Sequence, residues 1–325
     1  MVLLVASVIV GVGFGAAGIA PFDVLRVVAS HFGVDSTGIP ATSDAIVWEL
    51  RLPRVLTALF VGAGLGLCGS IMQAVTRNPL ADPYLLGLSS GASVGAAAVI
   101  VLGWDFVLPV AAFAGAVLAL AATLALAGPA SGGIASGTRT VLAGVAVSAL
   151  LSAATSLMIF LSATGDTYRE ILGWLLGSLG GADWGTVLVA GCAVVIIGVP
   201  LLVAARPLDV FAYGDLTARS LGVHVGRVRW ILLAACALLT GVLVSVSGSI
   251  GFVGLVVPHA VRLVVGHAHR IVLPMSAVVG ALLVVWADTL ARTVVAPREI
   301  PVGVVTALLG APAFAILLIR VRKPA

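Results

Sequence analysis

The first candidates for chemistry are four ionisable side chains in otherwise apolar stretches: Asp288, Arg292, His259 and Arg262. Asp288 and Arg292 are four residues apart and can therefore pair along one face of a helix, either as a proton or ion relay or as a structural pair near the outer surface. At mid-membrane a charge costs about 2.5–3.5 kcal/mol on insertion scales, so such groups need partners. No chain of acids follows Asp288 through the apolar stretches, which argues against ion-coupled transport.

Two short catalytic patterns also occur in apolar stretches. Gly87, Ser89 and Gly91 fit the nucleophile elbow of serine hydrolases. The chain could then be an intramembrane hydrolase that uses Ser89 and His259. The elbow needs a strand-to-helix turn, whereas this segment opens an apolar helix. Residues 64–69 fit G-x-G-x-x-G but have no preceding strand and no acid about 20 residues further on. Glycines four residues apart favour close helix packing instead. These sets are Gly62 and Gly66; Gly87, Gly91 and Gly95; Gly173 and Gly177.

The distribution of lysine excludes whole enzyme classes. Of the 17 basic residues only Lys323 is a lysine, and it lies at the end of the chain. A P-loop needs a lysine that reaches the nucleotide phosphates, and a pyridoxal-phosphate enzyme needs a Schiff-base lysine. We therefore predict no enzyme activity and no cofactor in this chain. If ATP drives the protein, ATP and Mg²⁺ bind to a separate ATPase chain.

No metal site is predicted. Cys68, Cys192 and Cys236 are far apart in apolar runs and resemble small buried hydrophobes. His267 and His269 flank a short basic turn, which we interpret as solvated because a metal site would need more ligands.

The composition predicts an all-α integral membrane protein. Hydrophobic residues make up 61% of the chain and charged residues 9%, and the mean hydropathy is +1.23. The net charge of +4 does not indicate nucleic-acid binding, because a basic excess in a membrane protein usually lies in cytoplasmic loops. Runs of about 20 apolar residues can cross a bilayer as helices. The runs are 1–20, 55–75, 84–103, 106–128, 140–163, 185–204, 230–248, 251–265, 271–291 and 303–319.

These runs, about ten in all, place both termini on one side of the membrane. With the termini in the cytoplasm, most of the arginines fall in cytoplasmic loops, as the positive-inside rule requires. The first run lacks the basic n-region of a signal peptide. Residues 21–54 then lie outside and are too long for a simple turn. Residues 205–229 form the largest cytoplasmic segment, either as two short helices each ended by a glycine or as an interfacial helix on lipid.

Several sequence blocks carry a resemblance to a known family. They are RLPRVLTALFVGAGLGLCGSIMQAVTRNPLADPYLLGLSSGASVGA (51–96), WLLGSLGGADW (174–184), LDVFAYGDLTARSLGV (208–223), GSIGFVGLVVPHAVRLVVGHAHR (248–270), LPMSAVVGALLVVWADTLAR (273–292) and EIPVGVVTALLGAPAFAILL (299–318). Together they resemble the FecCD family, the permease subunits of bacterial ABC importers for ferric siderophores, haem and cobalamin.

The resemblance implies a fold, an assembly and a location. The fold is the type II ABC importer permease fold, with residues 1–325 forming a single transmembrane domain. The chain would pair with a second copy or a close paralogue, and would work with two ATPase subunits and an extracytoplasmic substrate-binding protein. It would cross the bacterial cytoplasmic membrane many times, in contact with lipid and with both termini inside.

The resemblance also implies roles for individual residues. The resemblance implies that Arg51, Arg54 and Arg292 dock the binding protein. The sequence RLPR (51–54) could instead be a stop before the second helix. The inner gate falls on Gly137 and Thr138. Contact with the ATPase falls on the segment 208–222. Its predicted residues are Leu208, Asp209, Phe211, Gly214, Asp215, Leu216, Arg219, Leu221 and Gly222.

The chain departs from the family pattern in three places. Asp209 stands where the family often has Asn, and Phe211 where it often has Leu, so the details of ATPase pairing follow less directly than the role of the loop. The chain also begins directly in its first helix, without the short basic lead of many relatives.

The cargo follows least directly from the sequence. Ferric siderophore is the expected cargo, because it is the commonest in the family, and haem and cobalamin are the alternatives. A secondary transporter and a membrane-embedded enzyme are the rival classes. The first should show more acids within its spans, and the second should keep its activity without ATP or partner proteins.

Overall fold

The computed structural model describes residues 2–15, 18–34, 38–128, 137–162, 165–211, 213–222 and 224–321. Over these ranges the chain is helical and contains no strand, as the composition predicts. The longer elements, in chain order, are α1 (Val2–Gly13), α2 (Pro21–His31), α3 (Ala41–Thr76), α4 (Leu88–Leu102), α5 (Leu108–Ala127), α6 (Gly137–Leu161), α7 (Gly165–Leu175), α8 (Trp184–Ala193, continued by Val194–Gly198 and Val199–Leu201), α9 (Ala205–Phe211), α10 (Asp215–Ser220), α11 (Val225–Ser247), α12 (Val253–Val265), α13 (His269–Ala291) and α14 (Val302–Val321).

Each of the ten predicted apolar runs contains a helix. In the described part of the chain six helical stretches are long and apolar enough to cross a membrane: α3, α5, most of α6, α8 extended to Phe211, α11 and α13. The apolar helices α1, α4, α12 and α14 are shorter. Helices α2 and α7 were not predicted as helices, and both lie in connecting segments.

Helix α3 begins well before the predicted run 55–75. The RLPR sequence lies inside this helix, so its interpretation as a stop before the second helix is wrong. A π-helical turn, Ile46–Arg51, precedes Pro53. Proline lacks the N–H that would bond to the carbonyl four residues earlier, and wider i→i+5 bonds accommodate this loss. A second π-helical turn, Val194–Gly198, precedes Pro200 in the same way.

Helices α3 and α13 form the central pair, and glycine allows their backbones to touch. A Cβ on Gly62 would lie 2.2 Å from the carbonyl oxygen of Gly280, and one on Gly66 would lie 2.3 Å from that of Ser276. Such distances are shorter than any van der Waals contact, so larger side chains cannot fit there. The predicted packing role of Gly62 and Gly66 is confirmed.

The same principle holds between α4 and α5. A Cβ on Gly91 would lie 2.3 Å from the carbonyl oxygen of Gly115 and one on Gly95 2.1 Å from that of Ala111, which confirms the packing prediction for these two glycines. Gly87 instead precedes the helix with φ 81°, and its Cβ position has no contact closer than 3.4 Å among the described residues. Gly173 is different, because nothing lies within 4 Å of its Cβ position. Gly177 follows the end of α7 with φ 73°, and a Cβ there would lie 2.5 Å from the carbonyl oxygen of Ser249, so the predicted close approach is present but is made beyond the helix.

Helix α12 joins the central pair through a backbone irregularity. Pro258 has no N–H, so the carbonyl of Gly254 loses its helical donor. The side-chain amide of Gln73 in α3 donates to that carbonyl at 3.2 Å and to the carbonyl of Leu255 at 3.1 Å. This contact fixes the end of α3 against α12, where the second of the two sites described below is found.

Candidate functional site

Two clusters of polar side chains lie at opposite ends of the α3–α13 pair. The first, here called the arginine cluster, consists of Arg51, Arg54, Asp288, Arg292 and Glu299. Arg54 Nε donates to both carboxylate oxygens of Asp288, at 2.9 and 3.1 Å. Arg292 Nε lies 3.3 Å from Asp288 Oδ2, which confirms the predicted pairing along one helix face. Asp288 is fully buried, so its charge is compensated by two guanidinium groups rather than by water.

Other donors of the arginine cluster bind the end of α1, whereas Arg292 Nε has the ion-pair contact with Asp288 but no hydrogen bond among the described residues. Arg51 donates to the carbonyl oxygens of Val12 and Gly13, both at 3.1 Å. Arg292 donates to the carbonyl of Gly11 at 2.6 Å. The last carbonyls of a helix lack intrahelical donors and carry its negative dipole end, so cations are favourable there. The arginines therefore link three helices, α1, α3 and α13.

The three arginines that the resemblance assigns to docking are therefore buried and engaged within the chain. Arg51, Arg54 and Arg292 are only 8, 9 and 6% exposed. Glu299 was missed by the sequence reasoning, and it accepts from Arg54 Nη1 at 2.8 Å while its own side chain is 53% exposed. The sequence does not reveal the contact between Glu299 and Arg54, because the two residues are 245 positions apart. A docking role for the arginines stays a prediction.

At the other end of the pair, the segment 205–222 contains two short helices, α9 and α10, as one of the two alternatives predicts. Gly214 and Gly222 follow them with φ 99° and 81°, a region that favours glycine. Leu208 and Phe211 were predicted to contact the ATPase and so to be exposed, which the structure contradicts. Leu208 and Phe211 are fully buried and anchor α9 to the protein core.

The exposed apolar surface of the segment comes from later residues. Tyr213, Leu216 and Leu221 are 76, 84 and 64% exposed. Arg219 of α10 is also exposed. The side chain of Asp215 lies outside the described residues. This end of the molecule therefore presents an aromatic and two aliphatic side chains outside the helix bundle.

Asp209 connects this segment to α13. Its Oδ1 accepts from the backbone N–H of His269 at 3.0 Å and lies 2.7 Å from the Nδ1 atom of the same residue. The carboxylate thereby caps the first turn of α13, where the helix dipole favours a negative charge. The prediction of a solvated basic turn is wrong for His269, which is buried by this contact, and holds for His267, which is exposed.

Two further predictions can be placed. Gly137 and Thr138 are the first residues of α6, but their side chains lie outside the described residues. The proposed hydrolase pair is not assembled, because Ser89 Oγ lies 2.8 Å from Ser249 Oγ whereas His259 lines a cavity with Arg262. Over the described ranges, no cluster of three His, Cys, Asp or Glu side chains could hold a metal ion.

Comparison with protein families and sequences gives one consistent result. A model of the FecCD transport family matches residues 3–320. A cobalamin import permease of Halobacterium salinarum is 45% identical over 283 residues, covering 86% of this chain and 75% of the relative. A hemin transport permease of Yersinia pestis is 43% identical over 295 residues, covering 87% and 86%. An ABC transporter permease of Bacillus subtilis is 41% identical over 324 residues, covering 98% and 91%.

Comparison with solved structures agrees with this result. An inward-facing ABC transporter described as of the metal-chelate type superposes with a TM-score of 0.86 at 31% identity, covering 98% of this chain and 97% of that chain. PsaBC from Streptococcus pneumoniae, in complex with Fab, superposes with a TM-score of 0.58 at 19% identity, covering 81% and 88%. The second likeness concerns the fold alone.

Proposed function

We propose that this chain, which belongs to the FecCD transport family, carries a large metal chelate inward across the bacterial cytoplasmic membrane. It is a multi-pass permease of an ABC importer and has the type II permease fold. The observation that carries the proposal is the family match over residues 3–320 together with superposition on a metal-chelate type transporter over nearly the whole chain.

The cargo proposal follows the names of the relatives. Two of the relatives reported above are named for cobalamin and for hemin import, and each of these cargoes is a metal held in a macrocycle. We place a metal macrocycle first and ferric siderophore, the cargo expected from the sequence, second. The test is uptake into liposomes that contain the permease and its ATPase, supplied with the cognate binding protein and, in separate assays, with cobalamin, hemin or a ferric siderophore. ATP-dependent uptake of none of the three would contradict the metal-chelate proposal.

ATP hydrolysis is assigned to a separate subunit, because Lys323 is the only lysine in the sequence. Two ATPase subunits are proposed to bind the end that carries α9 and α10, where Tyr213, Leu216 and Leu221 are exposed. An exposed apolar patch of this kind marks an interaction site. The purified permease alone should hydrolyse no ATP, and sustained hydrolysis free of contaminants would contradict this assignment. The same end then faces the cytoplasm, together with both termini.

A second permease chain is proposed to pack against α6. This helix is long and apolar, yet most of it is exposed. Its exposed side includes Ser152 and Ser156, which are four residues apart and lie on one face. Small polar residues at that spacing suit a helix–helix contact or a polar pathway better than a surface that faces only lipid. A second copy or a close paralogue would supply the facing helix, and the pathway would run between the two chains.

Docking of the binding protein is proposed at the arginine cluster, through Arg54. The guanidinium groups of Arg51 and Arg292 are engaged by the carbonyls of α1, whereas Arg54 reaches the half-exposed Glu299. An acidic side chain of the binding protein could take the place of Glu299 on Arg54. Charges of this kind at an interface act mainly on association rate and register.

A further inference from the structure

A cavity of about 760 Å³ lies at the end of the α3–α13 pair opposite the arginine cluster. Its walls come from the end of α3, from α9 and Tyr213, from the second half of α12, and from the residues just before and at the start of α13. The ionisable side chains that line it, apart from Tyr213, are Arg77, Asp209, His259, Arg262, His267 and His269. We call it the basic cavity. Asp209 is the one carboxylate among its described lining residues.

The basic cavity is short of acceptors on the α12 side. Asp209 already accepts a hydrogen bond from the backbone N–H of His269 and contacts the imidazole ring of the same residue. Arg262 donates to the side-chain oxygen of Gln73, which is a neutral group. The amide nitrogen of Gln73 is held by two carbonyls of α12, so its oxygen is fixed toward Arg262. A neutral acceptor compensates a guanidinium charge far less than a carboxylate does.

His259 supplies the second observation. It lies three residues before Arg262, so both side chains project from the same face of α12. Its Nε2 atom is enclosed and has no hydrogen-bond partner among the described residues. A buried polar atom without a partner costs free energy, which a ligand can remove by supplying one. A carboxylate has two oxygens and could accept from Arg262 and, once the ring turns to bring the enclosed Nε2 atom into the cavity, from His259 as well.

We propose that the basic cavity receives an acidic side chain of the ATPase subunit, an inference that rests on the proposed function. The position of the opening favours a protein partner over lipid. Tyr213 lines the cavity and is largely exposed, so the opening lies beside it. Leu216, also largely exposed, follows three residues later on the surface assigned to the ATPase. The walls are helix ends and connecting residues, rather than the long sides of helices that face lipid.

The test measures affinity between the permease and its ATPase subunit in nanodiscs. Arg262→Gln removes the charge and should weaken ATPase binding about tenfold, with a smaller salt dependence than the wild type. Since Arg262 also holds Gln73, a second variant is needed that does not disturb the interior. His267→Glu places a negative charge on the exposed rim and should weaken binding by repelling the incoming carboxylate. The matched control is Arg206→Gln, an exposed arginine of α9 that does not line the cavity, and it should bind normally.

The outcomes separate this proposal from the proposed function. Normal ATPase affinity in both cavity variants, with Leu216→Asp still releasing the ATPase, would overturn the cavity proposal and leave the function intact. Normal affinity in Arg262→Gln, His267→Glu and Leu216→Asp would contradict both the cavity proposal and the proposal that this end of the permease binds the ATPase. A loss in the cavity variants that occurs in nanodiscs of anionic lipid and disappears in phosphatidylcholine would assign the site to a lipid phosphate instead. Recovery of binding in Arg262→Glu by an acid-to-arginine change in the ATPase would identify the partner residue.

Discussion

At one end of the α3–α13 pair, Arg54 and Arg292 converge on the buried carboxylate of Asp288, whereas at the other end Arg262 faces the neutral amide of Gln73. The first end adds a second acid, Glu299, and uses the carbonyls of α1 for the donors that remain. The second end holds a single carboxylate among its described lining residues, and His269 already occupies it.

The contrast indicates different roles for the two ends. The arginine cluster is satisfied mostly within the chain and joins helices, although Arg292 Nε makes no hydrogen bond among the described residues and Arg54 is proposed to bind a partner. The basic cavity contains an enclosed histidine nitrogen without a partner among the described residues, and we propose that an acidic side chain of the ATPase completes this site. Because α13 runs from His269 to Ala291, this one helix contributes a residue to the basic cavity at its first turn and Asp288 to the arginine cluster near its other end.

The largest effect of a substitution is expected on folding, at the arginine cluster. Asp288→Asn leaves Arg54 and Arg292 buried around a neutral group, and breaking a buried ion pair costs about 3–5 kcal/mol. We expect little folded, monodisperse protein in detergent, measured by fluorescence-detected size exclusion. The control is Asp209→Asn at the other end, where the side chain is partly exposed and asparagine can still accept from His269. Equal yields of the two variants would show that the arginine cluster does not hold the helices together.

A moderate effect, on affinity for the binding protein, is expected at Glu299, the exposed residue of the arginine cluster. Glu299→Gln removes the carboxylate that competes for Arg54, so affinity for the binding protein should rise several-fold, chiefly through faster association at low salt. The control is Glu49→Gln, an exposed acid of the same end for which no contact with Arg54 is seen. Surface plasmon resonance on the permease–ATPase complex measures the change. An unchanged affinity for Glu299→Gln would place the docking site elsewhere.

The smallest effect is expected in the loop that connects α3 to α4. Burial raises the pKa of Asp82 to about 6, although its Oδ1 accepts from the backbone N–H of Tyr84 at 2.8 Å. A carboxyl whose pKa is raised on folding stabilises the fold when protonated, and this stability is lost as the pH rises through about 6. Asp82→Asn keeps the acceptor and stays neutral.

The melting temperature in detergent should therefore be higher for Asp82→Asn than for the wild type at pH 7.5. The difference should shrink at pH 5, where the wild-type side chain is largely protonated. A constant difference between the two proteins over this pH range would mean that Asp82 does not titrate as its burial implies.

Patterns local in sequence predicted much of the fold. Gly62 and Gly66 are four residues apart, and this spacing alone places both on the helix face that contacts α13. Gly214 and Gly222 predicted where two short helices end, because each glycine supplies a positive φ. Asp288 and Arg292 were paired correctly for the same reason, since residues four apart meet on a helix.

Contacts between distant segments could not be predicted in this way. Glu299 reaches Arg54 across 245 residues, and no local pattern connects them. Leu208 and Phe211 were expected to be exposed because their segment is polar, yet their orientation depends on helices they meet only in the fold. His269 was assigned to a solvated turn because Asp209, its partner, lies 60 residues earlier.

The central claim is that the surface around α10 binds the ATPase that drives transport, and Leu216→Asp tests it most directly. Leu216 is largely exposed, so the change should leave insertion and pairing of the permease intact. A charge buried in a protein groove stays unpaired and is costly, whereas one at the lipid surface reaches water. We predict that the ATPase no longer co-purifies with Leu216→Asp and that uptake is abolished. Normal recovery of the ATPase with normal uptake would contradict the account.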